Sequence, residues 1–124
     1  KRIEMTVKAF VPKRMSISFG DMGVIYGNLI DNAIEASMKM QREKRFVDVE
    51  TKYQDGKLLI VVSNSKNMES NPAFATTKEN KRKHGRGIRS VRRVAEQYGG
   101  NLLLEDEGGT FKASLLLTNV ERLE

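Results

Sequence analysis

Asn28-Leu29-Ile30-Asp31-Asn32-Ala33-Ile34-Glu35-Ala36 is the stretch on which the reading of this chain turns. Around it Ile25, Leu29, Ala33, Ala36 and Met40 recur at helical spacing, which predicts a helix from about Met22 to Glu43, entered at Gly20-Asp21 with Asp21 as N-cap. Asn28 and Asn32 lie four apart and Glu35 three further on, so the three share one stripe at the border of the apolar face. Asparagine is a poor helix former because its amide competes for backbone hydrogen bonds, so two of them one turn apart need a reason. One reason is side-chain oxygens held toward a hard cation such as Mg²⁺, which takes oxygen ligands and keeps several waters. The other is a solvated polar edge.

Working outward, Ile3, Met5 and Val7 alternate with polar neighbours and predict a half-buried strand, followed by a short one near Met15 to Ser18. After the helix, Phe46 to Tyr53 and Lys57 to Ser63 read as strands joined by the Asp55-Gly56 hairpin signal. Leu58 to Val62 is continuously apolar, which places that strand centrally and predicts burial on both faces. Periodicity lapses from about Asn64 to His84, the mark of a flexible lid. A second helix is expected from about Gly87 to Tyr98, with Ile88, Val91, Ala95 and Tyr98 on one face and Gly99-Gly100 as its stop. Asn101 to Glu105 and Thr110 to Leu117 close the chain as strands about a Gly108-Gly109 turn. The order implies an α+β two-layer sandwich: a mixed, mostly antiparallel sheet with helices on one face.

The 124 residues suffice for one domain, 1–124, and Lys1 in place of an initiator Met points to a segment of a longer protein. No run is apolar enough to cross a bilayer, and the first residues lack the pattern of a signal peptide. With no cysteine, disulfides and thiolate metal sites are excluded, and a single histidine argues against a His-based zinc site. The net charge of +6 is local: Lys78 to Arg93 holds eight basic residues and one acid, a net +7, which leaves the remainder at −1. One short segment wants an anion. A nucleic-acid surface is not expected, because the chain has no Trp and only 6% aromatic residues to stack on bases.

Within that window, Gly85-Arg86-Gly87-Ile88 is expected at a helix N-terminus, where backbone N–H groups and partial positive charge receive phosphate. The alternative is a loop-helix junction with a solvated basic face. The motif is neither a P-loop nor a full dinucleotide fingerprint. Ser63-Asn64-Ser65 ends the apolar strand; Asn64 either reads adenine through its amide or merely opens the following turn. His84 is a phosphate contact or a spectator.

These pieces occur in an order that resembles the GHKL (Bergerat) ATP-binding fold of gyrase B, the large heat-shock chaperone, mismatch-repair ATPases and sensor histidine kinases. The stretch 28–36 resembles the N-box, Ser63-Asn64-Ser65 stands at the G1 box, Phe74-Ala75-Thr76-Thr77-Lys78 is similar to the lid's F-box, and Gly85-Arg86-Gly87-Ile88 to the G2 box. The resemblance implies that Asn32 ligates Mg²⁺ and that Asn28 supports metal and phosphates. Asn64 would read adenine with Thr110 beside it, and Thr77, Lys78, Lys83, His84, Arg86 and the backbone at Gly85, Gly87 and Ile88 would hold the triphosphate.

The departures point to a subfamily. Family members that activate a water or a serine carry a Glu general base where Asn28 stands, whereas an imidazole acceptor is nucleophilic without one. The resemblance is therefore to histidine kinases, and the Asn-Ser pair and Thr-Thr-Lys are similar to the peptide-pheromone-sensing, accessory-gene-regulator and competence types. Glu35 stands where many kinases have a phosphate-facing Lys, and Asn64 replaces an Asp at an expected cost of about 1 kcal/mol, roughly fivefold in affinity. The implied function is ATP binding and transfer of the γ-phosphate to a histidine on a separate dimerisation domain, with a degenerate nucleotide-binding module as the alternative. The implied partners are phosphoacceptor helices and a response regulator, in a membrane-anchored homodimer whose catalytic domain is cytoplasmic.

Overall fold

A computed structural model describes residues 3–67 and 78–123, with the backbone course alone for 78–84. The elements are β1 (Glu4–Phe10), α1 (Phe19–Ser37), a short 3-10 turn (Arg42–Lys44), β2 (Phe46–Gln54), β3 (Lys57–Ser65), α2 (Lys78–Gln97), β4 (Asn101–Asp106) and β5 (Thr110–Leu117). They build one sheet in the order β1-β2-β3-β5-β4. β1 runs parallel to β2 and every other pairing is antiparallel. Both helices pack on one face of that sheet and against each other, so the expected two-layer α+β sandwich is what forms.

The period-two side of the strands supplies half of the core. Val47, Val49, Leu58, Ile60, Val62, Ala113, Leu115 and Leu117 meet Ile25, Leu29 and Ala33 of α1 and Val91, Val94 and Ala95 of α2. The Asp55-Gly56 hairpin turns with both residues at positive φ, 50° and 84°, the geometry of the two-residue turn that matches strand twist. Residues 14–16 and 121–123 clasp through Ser16 N–H to Glu121 O and Leu123 N–H to Arg14 O, and the short strand expected near Met15 is this single bridge.

Five expectations change. The first helix is capped by Ser18, whose Oγ accepts from the Asp21 N–H at 3.0 Å, so Asp21 is a first-turn acid and not the cap. It also ends at Ser37 rather than Glu43, its buried stripe being Ile25, Leu29, Ala33 and Ser37. β1 is exposed along its whole length: Met5 and Val7 pair with the buried Val47 and Val49, but β1 is the sheet's edge and lies beyond the helices packed on β2 and β3. β3 is central in order yet buried on one face only, with Leu59 36% exposed, because helices cover a single side of the sheet.

The fifth change bears on function. α2 begins at Lys78, not near Gly87, so the last part of the expected lid, 78–84, is helical. Gly85, Arg86, Gly87 and Ile88 therefore lie inside a helix and not at its N-terminus. In a helix interior each N–H donates to the carbonyl four residues back, which occupies the amides expected to receive phosphate. At its other end the expected lid also starts later, since Asn64 and Ser65 close β3, and residues 68–77, with Phe74 to Thr77 among them, lie outside the described residues.

Candidate functional site

The asparagine-bearing stripe of α1 meets α2 at one close contact. Asn28 donates from Nδ2 to the Val24 carbonyl one turn back at 2.8 Å, which fixes its amide and leaves Oδ1 toward α2. Gly87 sits there, buried, and a Cβ placed on it would come within 2.9 Å of that Oδ1. The glycine thus lets α2 approach the Asn28 amide, and N-box and G2-box residues stand in contact. Gly85 has no such constraint, since a Cβ there would meet only the Arg89 guanidinium at 3.4 Å.

Asn32, one turn after Asn28, is half-buried and has no hydrogen-bonding partner among the described residues. An amide oxygen in that state has no described partner to give up before it meets a cation. No group of three or more His, Asp or Glu that could hold a metal occurs among the described residues. The donor set fits a hard ion that takes one protein oxygen and completes its shell with phosphate oxygens and water, as Mg²⁺ does.

The other expected contacts gather at the far end of β3. Asn64, 3% exposed, lies in one row of the sheet with Val47, Phe111 and Asp106. Its Nδ2 donates to the Ser65 carbonyl at 2.9 Å. Ser65 is buried and tied twice, its Oγ accepting from the Phe46 N–H at 3.1 Å and sharing a 3.0 Å hydroxyl bond with Ser37 at the end of α1. Thr110, half-buried, pairs with Ser65, so the residue directly across from Asn64 is Phe111.

Lys66 had no place in the sequence reading, and its burial is the surprise of this region. The side chain is 5% exposed, and its ammonium bonds Asp106 Oδ1 and the Gly108 carbonyl, each at 3.1 Å. The Lys66 N–H adds a bond to the Gly109 carbonyl at 3.0 Å. A buried lysine is tolerated when paired and hydrogen-bonded, as here. Lys66 and the Gly108 N–H hold the Asp106 carboxyl below the usual carboxylate range. The β4–β5 turn that carries Thr110 is thereby latched to the end of β3. A lysine two residues past Asn64 and an acid two residues before Gly108-Gly109 were the only signals, and neither is distinctive without the register.

Of the remaining expected residues, Arg86 is exposed and Ile88 packs on the core. Thr77 and the side chains of Lys78, Lys83 and His84 lie outside the described residues. Two surface grooves of about 540 and 510 Å³ open near β1, the first beside Phe10, Lys52 and Leu59, the second beside Glu4 and Arg42. Neither contains an expected site residue.

Residues 17–118 match the family described as the GHKL domain. No curated protein matches the chain by sequence. Among solved structures the chain is similar to the catalytic domain of histidine kinase ThkA, with a TM-score of 0.68 at 17% identity over 94% of this chain and 80% of that one. It is similar as well to the blue-light activated histidine kinase EL346 of Erythrobacter litoralis, with a TM-score of 0.68 at 16% identity over 95% of this chain and 36% of that one. Full-length ShkA in complex with AMPPNP gives 0.71 at 18% identity, over 98% of this chain and 26% of that one. With the family's match running through both helices and four of the five strands, this chain belongs to the GHKL domain family.

Proposed function

We propose that this chain is the ATP-binding catalytic domain of a sensor histidine kinase of the peptide-pheromone-sensing type. The observation that carries the reading is Asn28 set against Gly87, N-box against G2 box, with an amide where a general-base Glu would stand. In this reading Asn32 offers an oxygen to Mg²⁺ with Asn28 in support, and the ion when bound neutralises charge on the triphosphate. Lys78, Lys83, His84 and Arg86 would supply the groups that hold the phosphates, and Asn64 would receive the adenine beside Thr110 and Phe111. The chain positions the γ-phosphate and neutralises it, which is most of what phosphoryl transfer asks of a protein. The acceptor is a histidine on dimerisation helices outside this chain, and the phosphate passes on to a response regulator. The full protein is a membrane-anchored homodimer with this domain in the cytoplasm.

The helical course of α2 through Gly85 and Gly87 favours a second reading, a module that keeps the fold and transfers no phosphate. Phosphate binding by those amides would first require that part of α2 to unwind. Calorimetry with ATP and ADP, with and without Mg²⁺, tests the site, and a transfer assay separates the two. Binding that needs Mg²⁺ and weakens at least about tenfold in Asn32→Ala is expected, a loss of roughly 1.4 kcal/mol or more. Adding histidine-bearing helices should then yield acid-labile labelled phosphohistidine from γ-labelled ATP, while the chain alone stays unlabelled. Silence at millimolar nucleotide would leave the degenerate module.

A further inference from the structure

Asparagine and aspartate are not equivalent at the edge of a purine. A carboxylate only accepts, so it takes the N6–H of a 6-amino purine and repels the O6 of a 6-oxo purine. An amide accepts and donates. In one orientation it takes N6–H on Oδ1 and gives Nδ2–H to N1, and turned over it gives Nδ2–H to O6 and takes N1–H on Oδ1. An unconstrained asparagine at position 64 would therefore read adenine and hypoxanthine or guanine alike.

Asn64 is constrained. Its Nδ2 donates to the Ser65 carbonyl at 2.9 Å in a setting where only 3% of the residue is exposed. Turned over, Oδ1 would face that carbonyl, setting two buried acceptors against each other with no proton between them. The carbonyl cannot easily step aside, because Ser65 is held through its hydroxyl by Ser37 and the Phe46 N–H, and the next residue is held by the Lys66 N–H bond to Gly109. One Nδ2 hydrogen is committed to Ser65, leaving Oδ1 as acceptor and the second hydrogen as donor.

We infer that the Ser65 carbonyl, anchored by the Ser65 hydroxyl on Ser37 and Phe46, sets base specificity: it locks the Asn64 amide in the orientation that takes a 6-amino purine nucleotide and rejects a 6-oxo one. This rests on the nucleotide reading above. Asn64 thereby keeps the acceptor character of an aspartate without its charge, and Ser65 acts through Asn64 as a positioning residue.

The test is calorimetric titration of the chain with Mg²⁺ and three probes: ATP, inosine triphosphate and tripolyphosphate. Inosine differs from adenosine only at the N1–C6 edge, so no bulky 2-amino group confuses the comparison. ATP should bind roughly 10- to 100-fold tighter than inosine triphosphate, the discrimination one good bidentate pair provides. Ser65→Ala should narrow that ratio while tripolyphosphate affinity holds, a pattern that general loosening of the fold would not give. Asn64→Asp should weaken ATP binding, reversing the gain that charge alone predicts from the sequence, because a carboxylate oxygen would then face the Ser65 carbonyl. Equal binding of ATP and inosine triphosphate by the wild type, or a gain in ATP affinity in Asn64→Asp, overturns the lock and leaves the nucleotide reading standing. If none of the three probes binds, both fall together.

Discussion

The two ends of the candidate site are built differently. At the β3 end, Asn64, Ser65 and Lys66 have their hydrogen bonds made within the protein, to Ser65, Ser37, Phe46, Asp106 and the β4–β5 turn. At the helix end, the Asn32 side chain has no partner among the described residues, and the sequence of α2 is rich in basic residues. The sheet fixes one end in advance, whereas under the proposed function the other would be completed by the anion and cation it binds. Such a division suits a nucleotide, whose base is a rigid plane that rewards a prepared pocket and whose phosphates are charges that a few adjustable groups can meet.

The sharpest way to break this contrast lies in the two glycines of the G2 box. Gly87→Ala drives a Cβ to within 2.9 Å of Asn28 Oδ1, while Gly85→Ala meets nothing closer than a guanidinium that can move. An alanine replacing glycine inside a helix gains about 1 kcal/mol, so Gly85→Ala should raise stability by that amount. Gly87→Ala should come out about 1–3 kcal/mol below it, the usual range for overpacking. Chemical denaturation measures both. A Gly85→Ala protein that is less stable than the wild type would mean that α2 does not run as a helix through the motif.

The latch at the sheet end sets up the next effect. Asp106→Asn weakens the charge-assisted bond to the buried Lys66 and should lower ATP affinity about three- to tenfold, with tripolyphosphate unchanged. The pH dependence has a definite sign. Because the Asp106 carboxyl is held below its ordinary range, its contribution to stability is fully present above that range and is lost as pH falls through the lowered folded value. Lys66→Met, which removes the cause of the shift, should therefore start to unfold at a higher pH than the wild type in acid titrations followed by circular dichroism. Equal losses for ATP and tripolyphosphate in Asp106→Asn would show that the latch supports the whole fold rather than the base end.

The contrast between the ends also marks what could be read without coordinates. The strands were legible because period-two alternation and the Asp55-Gly56 and Gly108-Gly109 turns are local, and β5 runs over the residues its pattern gave. The start of α2 was not legible, since Gly85 and Gly87 weaken a helical pattern locally and only packing against Asn28 supplies the reason for Gly87. Burial failed where it depends on which strand the helices cover: Met5 and Val7 have the alternation of a buried strand and sit at the sheet's edge. Asn28, Asn32 and Asn64 could be singled out as polar residues in places that disfavour them. Lys66, Asp106 and the Ser37–Ser65 pair could not, because their partners are brought together only by the β3–β5–β4 register and the end of α1.

The smallest effect comes from a bond outside both ends and serves as the reference for them. Tyr98, at the close of α2, donates its hydroxyl to Asp21 Oδ2 at 2.6 Å in the first turn of α1. Tyr98→Phe keeps the ring and removes that bond, so stability should fall by about 0.5–1 kcal/mol, discounted for the partial exposure of the pair, with ATP affinity unmoved. The bond to Asp21 favours the protonated phenol and raises its pKa above the ordinary tyrosine value. A raised folded value means that the contribution is whole below about pH 10 and is lost as pH climbs through the folded value. The gap between wild type and Tyr98→Phe should therefore be constant over roughly pH 6 to 9 and close in stronger alkali. A change in ATP affinity in this variant would show that the junction of α1 and α2 communicates with the site along its whole length, and the two ends could no longer be treated as separately built.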